Sequence, residues 1–202
     1  ISSVINAIHS SYIEEIKMNQ INLQRRKWLS LGGLVLGATI LPSKVMASLS
    51  TSTPLALRFH NINTGEQHAV NFFGGRLGPK DLNALNYLMR DRHTNQVKTI
   101  DPNLFVKLNQ LQGRLGFRNA EILVLSGYRS AKTNAAMRRN HRGVASNSFH
   151  IRGQAVDFQV SGVPLAKVRD AALSLNNGGV GYYPRSNFVH VDTGPVRTWV
   201  GV

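Results

Sequence analysis

Two stretches decide how this chain is read: SFHIRGQAVDF (148–158) and, farther on, FVHVD (188–192). In the second, alternate side chains of an extended strand share a face. Val189 and Val191 are then expected in the core, with Phe188, His190 and Asp192 on the opposite side. In the first, Gly153 permits a tight turn between a loop histidine, His150, and a strand carrying Asp157. His150, Asp157 and His190 thus form a His/Asp/His set. Three nitrogen and oxygen ligands with one position left over is the makeup of a catalytic zinc site. Each residue alone has an ordinary reading: a strand histidine is commonly hydrogen-bonded structure, and an Asp after Gly-Gln-Ala is commonly a turn or cap.

Working outward, residues 55–60 alternate as a half-buried strand, Asn63-Thr64-Gly65-Glu66 is turn chemistry, and 67–73 returns as its partner. Residues 79–90 read as a helix with Leu82, Leu85, Leu88 and Met89 on one face. Asp101-Pro102 starts a second helix that carries Leu104, Leu108, Leu111 and Leu115 and stops at Gly116. A buried strand is expected at 121–125, a Ser-capped helix at 130–139, and a strand at 155–160. A helix at 164–175 closes at Gly178-Gly179, and a last strand at 188–192 is stopped by Gly194-Pro195. This order predicts a compact α+β fold, a small central antiparallel sheet with flanking helices; the His/Asp/His set, not the order, is what would put a zinc site in a cleft on the sheet.

The chain of 202 residues carries 24 Lys+Arg against 10 Asp+Glu, a net charge of +14, with no cysteine and 42% hydrophobic residues. The absence of cysteine excludes disulfides, thiolate metal sites and cysteine nucleophiles. The charge implies a polyanionic partner: nucleic acid, an anionic membrane face or a carboxylate-rich polymer such as murein. The basic residues are scattered rather than interleaved with aromatics along one face, which argues against nucleic acid.

The N-terminal region reads as an address. Arg25-Arg26-Lys27 precedes a mildly apolar run, Leu29 to Leu41, and then Val45-Met46-Ala47. Basic start, short apolar middle and small terminal residue make an export signal of twin-arginine type. Residues 1–17 are expected to be an over-extended start ahead of Met18, 18–47 the signal, and 48–202 the functional domain. An uncleaved Leu29–Leu41 anchoring a monotopic protein is the competing reading. Removing residues 1–47 takes away five basic and two acidic side chains, so the remainder stays strongly basic.

The motifs S-G-Y-R-S (126–130), S-x-H-x-x-G-x-A-x-D-F (148–158) and G-V-G-Y-Y-P-R-S-N-F-V-H-V-D-T-G-P (179–195) together resemble the zinc D-Ala-D-Ala peptidase superfamily. Within it they resemble the periplasmic murein endopeptidases of the MepK type. Leu55 to Glu66, Arg90-Asp91 and Ile100-Asp101-Pro102 fit the same pattern, so the resemblance spans nearly all of residues 18–202. It implies His150, Asp157 and His190 as ligands of one Zn2+ per chain. It also places Arg129 where relatives keep an arginine that grips a substrate carboxylate or polarises the scissile carbonyl. Tyr128, Tyr182 and Tyr183 are candidates for the cleft wall, with core packing the alternative, and Tyr128 and Tyr183 are taken as substrate-binding. Ser148 is expected to order its loop.

Many relatives have H-x-H at the last ligand, and here the first of those positions is Phe188. Asp192 is the one remaining acid placed near the metal by sequence, as catalytic base or as a carboxylate orienting a ligand histidine. His141 is the best outside candidate. The implied activity is zinc-dependent hydrolysis of peptide cross-links in peptidoglycan during cell-wall growth or remodelling. The implied partner is the murein stem peptide, with no nucleic acid and only transient membrane contact during export. The protein is expected to be a periplasmic monomer. A non-catalytic, zinc-stabilised murein-binding domain is the alternative.

Overall fold

The computed structural model describes residues 56–116, 120–140 and 143–201. The segments read as over-extended start and export signal, and His141, lie outside the described residues. No helix among the described residues is long and apolar enough to cross a membrane.

The strands are β1 (Leu57–Asn61), β2 (Gln67–Val70), β3 (Glu121–Ser126), β4 (Ala155–Val160), β5 (Gly179–Tyr183), β6 (Phe188–Asp192) and β7 (Arg197–Val200). The helices are α1 (Pro79–Leu88), α2 (Pro102–Leu115), α3 (Ala131–Asn140) and α4 (Leu165–Ser174). The strands form one sheet in the order β2-β1-β3-β4-β6-β5-β7. This corrects the small antiparallel sheet expected from sequence, because seven strands join it and two pairs are parallel, β1 with β3 and β5 with β7. Two unanticipated strands account for the size and for the second parallel pair. Gly178-Gly179 has helix-stop chemistry, yet Gly179 opens β5, and β7 follows directly on the Gly194-Pro195 break.

The helix chemistry is local. Asp101 accepts the Asn103 N–H at 3.0 Å, Pro102 takes the first turn, and Gly116 ends α2 in the left-handed conformation. α2 packs on α4, and α4 lies against β4, β5 and β6. The core between them holds Leu104, Leu108, Val156, Phe158, Val168, Ala172, Val189 and Val191. Alternation then sends Asp157, His190 and Asp192 to the other face of β4 and β6. A register shift between Val124 and Ser126 sets Ser126 opposite Asp157 and bends the end of β3 toward the same place.

Asp91 ties the loops behind this face together. It is 2% exposed. Its carboxylate accepts the Ser130 N–H at 2.8 Å and the His93 N–H at 2.9 Å. Burial would raise its pKa, but these bonds and those to the Ser130 and Thr133 side chains hold it well below the ordinary value. A depressed folded-state pKa contributes stability present above the unfolded value and lost as pH falls through the folded one. Asp91→Asn should therefore cost about 1–3 kcal/mol at pH 7, read from urea midpoints, and the difference from wild type should shrink toward pH 3. An undiminished difference at pH 3 would contradict the assignment.

Candidate metal centre

Asp157 and His190 are register partners on adjacent strands, so their side chains meet on one face. His150 reaches them from the loop before β4. His190 Nδ1 lies 2.8 Å from Asp157 Oδ1, and His150 Nε2 lies 3.3 Å from Asp157 Oδ2. The two facing imidazole nitrogens are 3.2 Å apart. All three residues are buried and their donor atoms lie within 4.8 Å of one another. Ligands about 2.0–2.1 Å from a tetrahedral zinc would be separated by roughly 3.3 Å, so the spacing suits that ion.

The outer side of each imidazole fixes which nitrogen faces inward. His150 Nδ1 is 2.7 Å from the Gly127 carbonyl. A carbonyl only accepts, so Nδ1 carries the proton and Nε2 presents its lone pair. His190 Nε2 is 3.1 Å from Asp192 Oδ2, which likewise takes the Nε2 proton and leaves Nδ1 facing inward. Carboxylate or carbonyl behind each ligand histidine is the usual support of a bound metal.

Electrostatics favour positive charge at the centre. Burial would raise Asp157, but His150 and His190 hold its carboxyl well below the usual range. Burial pushes His150 down, keeping its imidazole neutral. Burial also pulls on His190, yet hydrogen bonds to Asp157 and Asp192 raise it on balance.

The loops are built for this geometry. Ser148 Oγ accepts the His150 N–H at 3.3 Å, so it orders the loop as expected. Gly153 has φ of 70°, and a Cβ there would stand 2.6 Å from the Thr99 carbonyl oxygen. Its own carbonyl accepts the Asp101 N–H at 2.9 Å, joining the loop to the cap of α2.

Asp192 is fully buried. Oδ1 accepts the N–H groups of Gly179 and Gly194, each at 2.9 Å, and Arg197 Nη1 at 3.1 Å. Oδ2 accepts His190 Nε2 and Arg197 Nη2, the latter at 2.6 Å. Burial works against the charge, but these donors hold the carboxyl far below its ordinary value.

Arg129 also comes to the site. Its Nη2 donates to Asp157 Oδ2 at 2.7 Å and its Nε to Ser126 Oγ at 3.1 Å, leaving the side chain 12% exposed. Tyr183 lies on the site face, stacked on Phe188 with ring centres 4.3 Å apart. Tyr128 packs instead against the apolar core, with Lys98 over its ring. Tyr182, the register partner of Val189, is on the core side.

Four residues of the site were not anticipated from sequence. Arg197 and Trp199 alternate along β7, and the Trp199 ring centre is 5.2 Å from that of His190. Gly179 makes room for Arg197 and Asp192: a Cβ there would come 2.5 Å from Asp192 Oδ2 and 2.7 Å from Arg197 Nη1. Lys107 is 1% exposed, and its ammonium donates to the carbonyls of Asn177, Gly179 and Asp192. Burial lowers its pKa to about 8. A lysine on the apolar stripe of α2, between Leu104 and Leu111, was the signal available.

Known proteins match this chain over nearly its full length. The sequence model of the family described as peptidoglycan L,D-endopeptidase MepK matches residues 49–199. A protein of Haemophilus influenzae named probable peptidoglycan L,D-endopeptidase MepK is 59% identical over 186 residues, covering 92% of this chain and 100% of the relative. The peptidoglycan L,D-endopeptidase MepK of Escherichia coli strain K12 is 50% identical over 183 residues, covering 90% and 100%. The chain belongs to the MepK family of peptidoglycan L,D-endopeptidases.

Proposed function

We propose that this protein is a zinc-dependent endopeptidase that hydrolyses peptide cross-links in peptidoglycan, and that its bond is the one between two diaminopimelate residues. The observation that carries the proposal is the convergence of His150 Nε2, His190 Nδ1 and an Asp157 oxygen, with both imidazoles oriented from behind, in a member of this family. The L,D-endopeptidase names of the relatives support the choice of bond. Residues 18–47 would serve as a twin-arginine-type export signal, and 48–202 as the peptidase, acting as a periplasmic monomer.

His150, Asp157 and His190 would hold one Zn2+. When bound, zinc supplies the Lewis acidity that lets water cleave an amide at neutral pH, giving a free carboxylate and a free amine. The chain's own groups do the remaining work. Gly127 O and Asp192 Oδ2 keep the protons of His150 and His190 on the outer nitrogens. Asp192, with both oxygens occupied by five donors, acts as the carboxylate that orients His190 rather than as a base. Arg129 steadies Asp157 and brings a permanent positive charge to the place where the peptide carbonyl oxygen gains negative charge. Tyr183, Phe188 and Trp199 form an aromatic wall beside His190, bound together by the Trp199 N–H donated to the Tyr183 hydroxyl at 2.8 Å. Phe188 thus serves as part of this wall.

The test is incubation of the zinc-loaded protein with whole murein sacculi, with and without chelator, followed by mass spectrometry of the muropeptides. Chelator-sensitive loss of dimers joined through two diaminopimelates is expected. Unchanged muropeptides, with the protein pelleting on the sacculi, would instead favour a murein-binding domain. His150→Ala and His190→Ala should lose zinc and hydrolysis together, and full hydrolysis by either would refute the ligand set. Asp192→Asn should lower zinc affinity roughly 10- to 100-fold, measured by competition with a chelating dye. Unchanged affinity would remove Asp192 from the support of His190.

A further inference from the structure

The carboxylates of the centre are matched one to one with guanidiniums. Asp157 is paired with Arg129 at 2.7 Å and Asp192 with Arg197 at 2.6 Å. A third guanidinium, two residues from His150, has no carboxylate partner among the described residues. Arg152, exposed, donates Nη2 to the neutral amide oxygen of Asn147 at 2.6 Å. Its Cζ lies 5.0 Å from the centre of the Phe149 ring. That ring also carries Arg197, 4.7 Å from its centre. Phe149 is held in turn against Gly194, where a Cβ would come 2.3 Å from its Cζ. An exposed arginine is ordinarily a mobile chain in water. This one is stacked on a fixed aromatic face and tethered at one nitrogen, so little freedom remains to be lost on binding an anion.

From this surplus, we infer that Arg152 anchors a free carboxylate of the substrate, the one on the carbon bonded to the leaving amine nitrogen. The inference rests on the reading of the chain as a murein endopeptidase. Its first support is position. Arg152 is two residues from His150, a backbone span of at most about 7 Å, and shares the Phe149 ring with Arg197, which holds the carboxylate behind His190, so the group it would anchor lies close to the scissile bond. Its second support is the state of Arg129, which is bonded to Asp157 and nearly buried, and so is poorly placed to grip a substrate carboxylate. Its third is charge. With two histidines, one carboxylate ligand and a divalent cation, the centre is net positive before Arg152 is added, and a carboxylate is the complementary ligand. A planar guanidinium takes it by two parallel N–H donors.

The experiment compares two synthetic cross-linked muropeptide dimers, one with that carboxylate free and one with it converted to the carboxamide. Zinc-loaded wild type, Arg152→Gln and Arg152→Lys are assayed on both, and zinc content and melting temperature are recorded for each. Wild type should favour the free carboxylate roughly tenfold in kcat/KM, mainly through KM. Arg152→Gln should bring the ratio close to one while keeping its zinc, and Arg152→Lys should recover part of the preference. A preference retained in Arg152→Gln would overturn the anchor, as would loss of zinc from that variant, which would mark Arg152 as structural. If wild type cleaved neither dimer, the endopeptidase reading itself would fall and the anchor with it.

Discussion

The contact between His190 Nε2 and Asp192 Oδ2 is the one on which the rest of the site depends. It decides which nitrogen of His190 faces Asp157 and His150. It works because Asp192 stays ionised though fully buried, and that is costly unless every lone pair is matched. Five donors match them: two backbone N–H groups, two nitrogens of Arg197 and the imidazole itself. These come from β6 itself, from the first residue of β5, from the turn after β6 and from β7. The outer half of the sheet is thus assembled around one carboxylate. Lys107 extends this arrangement into the helical layer, because its ammonium binds the carbonyls of Gly179 and Asp192 from α2.

The two faces of β4 and β6 divide the labour. Val156, Phe158, Val189 and Val191 close the apolar core, and the alternating positions hold Asp157, His190 and Asp192. Packing on one side therefore sets the spacing of donor atoms on the other. Guanidiniums then distribute the charge. Arg129 and Arg197 each take one acid of the centre, and Arg152 shares the Phe149 ring with Arg197.

Much of this was legible in the residues. The alternation of Phe188 to Asp192 gave the strand, its faces and the placement of His190 and Asp192 on one side. The Asp101-Pro102 start and Gly116 stop bounded α2. What sequence hid was long-range. β5 was masked because glycine, a breaker by local propensity, is used at Gly179 to admit Asp192 and Arg197. β7 was missed because its pattern has meaning only against β5, which brings Arg197 opposite Gly179 and Trp199 opposite Gly181. Asp192 could not be assigned between base and support from spacing, since the difference lies in five donors, four of them from outside β6. Nor could the bond from Arg129 to Asp157, separated by 28 residues, be read from either motif alone.

The central claim is that the two histidines meet the metal through different nitrogens, each chosen by the acceptor behind it. Long-range proton–nitrogen NMR of the zinc-loaded protein, with imidazole nitrogens labelled, measures this directly. The account predicts the proton of His150 on Nδ1 with zinc on Nε2, and the proton of His190 on Nε2 with zinc on Nδ1. Ligation of both histidines through the same type of nitrogen, or ring signals indifferent to zinc, would contradict it.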